Sequence, residues 1–109
     1  MLRMSGNDIY MTRGDSASFS LVIYNGKNIY TLQEGDNVVF TIRQIPKNTP
    51  TIPTPLLNKV FGNNTIVLNP NDTSFLQYGQ YKYDVQITFS DGGVNTILAG
   101  NIFLQSEVT

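Results

Sequence analysis

The sequence predicts an all-β protein: an antiparallel β-sandwich of immunoglobulin-like, Greek-key type, with about seven to nine strands and one short helical turn. Three observations predict it. Apolar and polar residues alternate with a period of two along most of the chain, and no stretch carries a helical stripe. Turn signals built on Gly, Asn and Asp recur at short spacing. A long alternating segment late in the chain follows a helical turn and opens on Gly79-Gln80-Tyr81, the arrangement of a tyrosine corner, in which the hydroxyl bonds upstream backbone. A small closed barrel is the competing architecture.

The elements follow in order. Residues 7–12 read as the first strand, with Ile9 and Met11 on one face. Arg13-Gly14-Asp15-Ser16 reads as a turn or bulge, with Gly14 free to take positive φ. Residues 17–24 form a half-buried strand in which Phe19, Leu21 and Ile23 alternate with Ser18, Ser20 and Val22. Asn25-Gly26 is the strongest short hairpin signal, and residues 28–32 are the return strand. Glu34-Gly35-Asp36 reads as a solvated turn into a strand over residues 37–45. There Val38, Phe40 and Ile42 face one way and Val39, Thr41 and Arg43 the other.

Pro46, Pro50, Pro53 and Pro55 lack backbone donors and cannot sit in a central strand, so residues 46–55 read as an extended surface loop. Residues 56–61 resume as a strand, Gly62-Asn63-Asn64 turns it, and residues 65–68 return. Asn69 suits a helix cap and Pro70 the first helical position, with one turn reaching Leu76. Residues 79–89 are the clearest strand: Tyr81, Tyr83, Val85, Ile87 and Phe89 line one face. Asp91-Gly92 marks a second hairpin, and residues 94–104 form the last strand, with a bulge expected at Gly100. Residues 1–109 read as one domain.

Composition narrows the function. Hydrophobic residues make up 40% of the 109, enough for a core, while charged residues reach only 14%. Asn, Thr, Ser and Gln must supply the polar surface, which suits either permanent packing against neighbours or a neutral soluble monomer. The net charge is −1 and the seven basic residues are scattered from Arg3 to Lys82, so phosphate-driven nucleic-acid binding is not expected. No apolar run approaches the roughly 20 residues of a membrane span, and the start lacks a signal-peptide apolar region. Cysteine and histidine are both absent. That removes thiol nucleophiles, the common general base, the usual triads and most zinc sites. The expectation is no enzyme, no catalytic residues, no cofactor and no metal site.

The remaining candidates have plain readings beside the chemical ones. Arg13-Gly14-Asp15 spells an integrin-ligand tripeptide, but a turn explains Gly14 equally well. Asp36, Asp72 and Asp91 sit in turns, as calcium ligands do, yet calcium takes about six to eight oxygens and each carboxylate here stands alone; bonding to local backbone is favoured. Glu34 and Asp36 are the only near carboxylate pair, and a glycosidase needs two across a cleft roughly 5–9.5 Å apart. Tyr10, Tyr24, Tyr30, Tyr78, Tyr81 and Tyr83 suit interfaces or sugar stacking, or equally a sheet face.

Several stretches carry a resemblance. They are Ile9-Tyr10-Met11-Thr12-Arg13-Gly14-Asp15, Leu32-Gln33-Glu34-Gly35-Asp36-Asn37-Val38-Val39-Phe40-Thr41-Ile42-Arg43 and Pro70-Asn71-Asp72-Thr73. To these are added Tyr78-Gly79-Gln80-Tyr81-Lys82-Tyr83-Asp84-Val85-Gln86-Ile87 and the ending Glu107-Val108-Thr109. The series resembles small phage and prophage structural proteins of Gram-positive bacteria and is similar to the N-terminal domain of phage baseplate upper proteins. The resemblance implies a β-sandwich in a virion tail, baseplate or fibre, made in the bacterial cytoplasm and built into a symmetric assembly. The chain ends where baseplate proteins continue into helical and receptor-binding parts, and it carries the 46–55 loop; a small accessory tail or head-decoration protein is the expectation. Its partners would be other phage structural proteins and further copies of itself as a homo-oligomer. A small carbohydrate- or cell-surface-binding module is the alternative. For self-association, residues 7–12 read as a poorly protected edge strand and residues 46–55 as a docking arm.

Overall fold

The computed structural model describes residues 2–45 and 53–106. Ten strands and one helix run in the order β1 (Leu2–Ser5), β2 (Asp8–Thr12), β3 (Ala17–Ser20), β4 (Tyr24–Asn25), β5 (Asn28–Ile29), β6 (Asn37–Arg43), β7 (Pro55–Phe61), β8 (Thr65–Leu68), α1 (Pro70–Thr73), β9 (Gly79–Thr88) and β10 (Val94–Gln105). The fold is an all-β sandwich with one short helix, as the periodicity predicts. One layer is a six-stranded sheet in the order β1-β2-β10-β9-β6-β7; the other holds the β3–β8 pair and the β4–β5 hairpin.

The inward positions of the large sheet are the ones alternation assigns to the core. Val38, Phe40 and Ile42 of β6 and Tyr81, Tyr83, Val85 and Ile87 of β9 are buried. The facing layer contributes Ile66 and Leu68, also fully buried. Across the interface, the Phe19 ring meets Phe40 edge-on at 6.2 Å between centroids; within the large sheet, Phe40 meets Tyr83 of the adjacent strand at 5.7 Å.

Several boundaries and pairings differ from the sequence reading, each for a physical reason. Residues 2–5 form a strand that pairs antiparallel with β2, so β2 is an interior strand and the expected edge at residues 7–12 does not exist. β2 also pairs with β10, and that pair is parallel, whereas every other pairing is antiparallel. Parallel neighbours need a long connection; here nearly the whole chain supplies it. β7 and β8 do not pair as a hairpin: β7 completes the edge beside β6, and the turn at residues 62–64 carries the chain across to β3 in the other layer. Tyr24–Asn25 pairs only with Asn28–Ile29, so the expected 17–24 strand and its 28–32 return are shorter than alternation suggests. The count of ten strands exceeds expectation because β1 and the two-residue β4 and β5 are included.

Gly100 does not mark a bulge. The register shift falls between Thr96 and Leu98, and Gly100 pairs in register with Tyr83. The absence of a side chain there serves a close approach: a Cβ would lie 2.3 Å from the Asn7 carbonyl oxygen. The expected 46–55 loop lies largely outside the described residues, which resume at Pro53.

Candidate functional site

The β4–β5 hairpin turns on Gly26 at φ +67°, the left-handed region that Asn-Gly turns require. It closes the chain over one end of the sandwich. Leu21 and Ile23 point inward and are buried. The alternate positions point outward, leaving Val22 61%, Tyr24 65% and Ile29 67% exposed. Tyr24 and Ile29 are cross-strand partners, so these side chains form an uncharged apolar stripe.

Beside the stripe lies an open cleft of about 360 Å³, floored by Leu21, Ile23 and Leu32 and rimmed by Asn63 and Asn64. Its lining includes no carboxylate, amine or guanidinium. The Asn64 turn is held against the floor by two bonds: the Leu21 N–H donates to the Asn64 carbonyl at 2.7 Å, and the Asn64 side-chain amide donates to the Leu21 carbonyl at 3.0 Å. A second cleft of about 150 Å³ lies between Tyr24, Ile87, Phe89, Asn95 and Ile97. Ile23 and Tyr30 line both clefts. The Tyr30 ring packs edge-on against Phe89, which lines the second cleft, at 5.8 Å.

Asp36 fixes Tyr30. The turn is solvated at Glu34 and Gly35, as expected, but Asp36 itself is buried, only 5% exposed. Its Oδ2 accepts the Tyr30 hydroxyl and the Gln33 N–H at 2.9 Å, and its Oδ1 accepts the Ser90 N–H at 3.0 Å. A carboxylate gains from such donors because each stabilises the charged form. The Tyr30 hydroxyl first, then the backbone N–H of Gln33, hold Asp36 below the usual Asp value; burial opposes them and Ser90 assists. The same bond to Asp36 is the main cause that raises Tyr30 above the ordinary tyrosine value. Glu34, its neighbour in sequence, is exposed. The two carboxylates do not form an acid–base pair across a cleft.

The other candidates resolve into structure. Arg13 is turned onto the segment after α1: its guanidinium donates to the Ser74 and Leu76 carbonyls at 3.4 and 3.3 Å and lies 4.4 Å over the Tyr78 ring. The Gly14 N–H donates to Thr73 Oγ1 at 2.8 Å. This turn fastens α1 to the end of β2 rather than displaying a tripeptide. Asp72 accepts the Asn69 N–H at 2.6 Å and Lys59 Nζ at 2.7 Å, and Asp91 accepts the Gly93 N–H at 2.8 Å. All three candidate calcium carboxylates therefore bind local backbone. Among the described residues, no group of three or more His, Cys, Asp or Glu is placed to hold a metal ion.

The tyrosines divide by place. Tyr81 makes the predicted corner, its hydroxyl donating to the Gln77 carbonyl at 2.8 Å. The Tyr83 hydroxyl donates to the Asn7 carbonyl. Burial, and then the nearby Asp8 charge, raise Tyr83 to about 12. On the outer face of the large sheet, Tyr10 stacks on Phe103 at 4.7 Å and carries the Arg3 guanidinium at 4.3 Å from its other strand neighbour.

The stripe and the cleft are what sequence reading missed. Val22 fell on the polar face of its strand by alternation, and that is the available signal: an apolar residue where period two calls for a polar one.

No protein-family model matches the chain, and no curated protein matches it in sequence.

Proposed function

We propose that the chain is a non-enzymatic virion structural protein of a phage or prophage, a tail, baseplate, fibre or decoration component that acts by protein–protein assembly. The observation that carries this reading is the uncharged stripe of Val22, Tyr24 and Ile29 beside an open cleft that includes no ionisable acid or base other than the Tyr30 phenol. Exposed apolar surface of this kind is costly to leave in water and marks a contact surface. A lining without carboxylates or cations suits an apolar anchor from a neighbouring subunit, and its one titratable group, the Tyr30 phenol, is already bonded to Asp36. The motif resemblance supports a virion as the setting of that neighbour. Repetition by symmetry then favours self-association as well.

Carbohydrate binding would need an open aromatic platform. Tyr78 has a face covered by Arg13, and Tyr10 lies between Arg3 and Phe103, which leaves Tyr24 and Phe75 as the strongly exposed rings without such cover, and among the described residues neither is paired with another ring. The deciding experiment purifies particles from the induced host by density gradient and probes them for this chain. Its presence in the particle band at stoichiometric amount supports the reading. Its confinement to the soluble fraction, with retention on an immobilised glycan, overturns it in favour of a sugar-binding module.

A further inference from the structure

Tyr30, which with Ile23 lines both the cleft of about 360 Å³ and the one of about 150 Å³, is held by one carboxylate: among the described residues its hydroxyl bonds Asp36. Asp36 in turn joins two loops 54 residues apart, through Ser90. The loops touch closely: a Cβ on Gly35, whose φ is +90°, would lie 2.9 Å from Ser90 Cβ. We propose that Asp36 is an acid-operated latch: the carboxylate holds Tyr30 as the partition between the two clefts, and its protonation releases the ring so that the clefts join. This deepens the assembly reading, since it concerns regulation of the same surface, and it rests on that reading for its biological use.

The latch follows from counting donors. The carboxylate accepts three hydrogen bonds, and two of the donors are backbone N–H groups, which cannot reverse. A neutral acid carries a hydrogen of its own. Placed on Oδ1, it opposes the Ser90 N–H; placed on Oδ2, it opposes the Gln33 N–H and the phenol unless the phenol turns to accept. Of the three donors only the phenol sits on a rotatable bond, so with the proton on Oδ2 the Tyr30 bond is the one that breaks or reverses. The partners of the Asp36 carboxylate among the described residues are Tyr30, Gln33 and Ser90, none of them a cation. The charged or titratable groups on the elements facing Asp36 are Tyr30 itself, Glu34 in the same turn and Asp91 beside Ser90, and only the first bonds to it.

The direction in pH is fixed by the geometry. Asp36 ionises more easily in the folded chain than in the unfolded one, so the latch's contribution is present above the ordinary Asp value and is lost as pH falls through the lower folded value. Tyr30 holds its proton more tightly when folded, so the same bond weakens again only as pH rises past the ordinary tyrosine range. Between those limits the partition stays closed.

The test uses the whole chain, Nile red as an uncharged apolar probe, and the amide shifts of Gln33 and Ser90 followed by NMR from neutral pH to strong acid. The expected result is a joint upfield movement of both amide protons, with one midpoint below the usual Asp value. Nile red emission should rise several-fold at that midpoint while the spectrum stays dispersed. Asp36→Asn should show the raised emission at neutral pH and no acid step. Tyr30→Phe keeps both backbone donors and frees the ring; it should show raised emission at neutral pH and retain the titration of Gln33 and Ser90. An emission step that survives in Asp36→Asn overturns the latch. If that variant does not fold, unchanged emission in Tyr30→Phe overturns it instead. None of these readouts needs a virion, so failure of the latch leaves the assembly reading intact, and a chain missing from particles leaves the latch intact.

Discussion

Replacing Gly100 by Ala tests how the start of the chain is locked to its end. The new Cβ would lie 2.3 Å from the Asn7 carbonyl oxygen and 2.9 Å from its carbon, both backbone atoms with no side-chain rotamer to yield. Relief requires the start of β2 to move away from β10. Overpacking of this kind costs about 1–3 kcal/mol. The movement also pulls the Asn7 carbonyl from the Tyr83 hydroxyl, the bond that satisfies a buried phenol, at about 1 kcal/mol more. The sum is about 2–4 kcal/mol, a large part of a domain stability of about 5–15 kcal/mol. With an unfolding entropy near 2.1 cal/mol/K per residue, it lowers Tm by about 9–17 °C. Calorimetry and urea titration read both quantities. Gly62→Ala is the control, because no atom lies within 4 Å of a Cβ there, and it should stay within about 0.5 kcal/mol of the parent. Adding Tyr83→Phe to Gly100→Ala should cost less than Tyr83→Phe alone, since the bond is already broken. A Gly100→Ala loss no larger than the Gly62→Ala loss would refute the close-approach argument.

Three further outcomes follow from the same structure. Tyr81→Phe removes only the hydroxyl that bonds the Gln77 carbonyl, and should cost about 1–2 kcal/mol in urea unfolding without changing the circular dichroism. Asp72→Ala frees the Asn69 N–H and Lys59 together and should cost about 1–2 kcal/mol, less in high salt than in low salt for the Lys59 share. In alkaline titration by tyrosine absorbance, Tyr83 should give a step near the value of about 12, and Tyr83→Phe should delete that step. Because the folded chain holds this proton more tightly, the stability Tyr83 contributes is complete below the ordinary tyrosine value and is lost as pH rises through about 12.

What alternation encodes is which side of a strand faces the core, and for β2, β6 and β9 the sequence was legible, while in β10 Ile97 and Ala99 blur the pattern. Phe40 and Val38 go in and Val39 goes part-way out because the pleat allows nothing else. Turn chemistry was legible for the same local reason: Gly26 and Gly92 take positive φ where Asn-Gly and Asp-Gly announce it. Partner choice was not legible, because it is decided by residues far apart. β1 had a short signal, Leu2 and Met4 alternating with Arg3 and Ser5 before Gly6-Asn7, but four residues carry little weight alone. Nothing in the local pattern says that β8 leaves β7 for β3, or that β2 lies parallel to β10. Asp36 shows the limit most clearly. Its short-range partner Gln33 is an ordinary turn contact, while the Ser90 N–H that helps bury it comes from another turn altogether.

These distant contacts are unevenly distributed, and that bears on where a partner can dock. The large sheet is cross-linked by polar bonds of great sequence separation: Tyr83 to Asn7 over 76 residues, Asn101 to Asp8 over 93, Arg43 to Asp84 over 41. Each removes freedom from a layer already joined by continuous ladders. The β4–β5 hairpin has only two residue pairs of ladder, and its outward residues are Val22, Tyr24 and Ile29. A surface meant to pack against a neighbour needs apolar area that the rest of the fold does not use, on an element whose adjustment does not strain the core. The hairpin end meets both conditions. The large sheet exposes Val60 and Val94, but on ladders joined throughout, and its outer face carries Arg3, Asp8, Lys82, Arg43 and Asp84, whose charges would have to be desolvated. Assembly through the hairpin end therefore leaves the ladders and their cross-links undisturbed, and substitutions of Tyr24 or Ile29 to Ser should abolish partner binding while leaving Tm within about 4 °C of the parent.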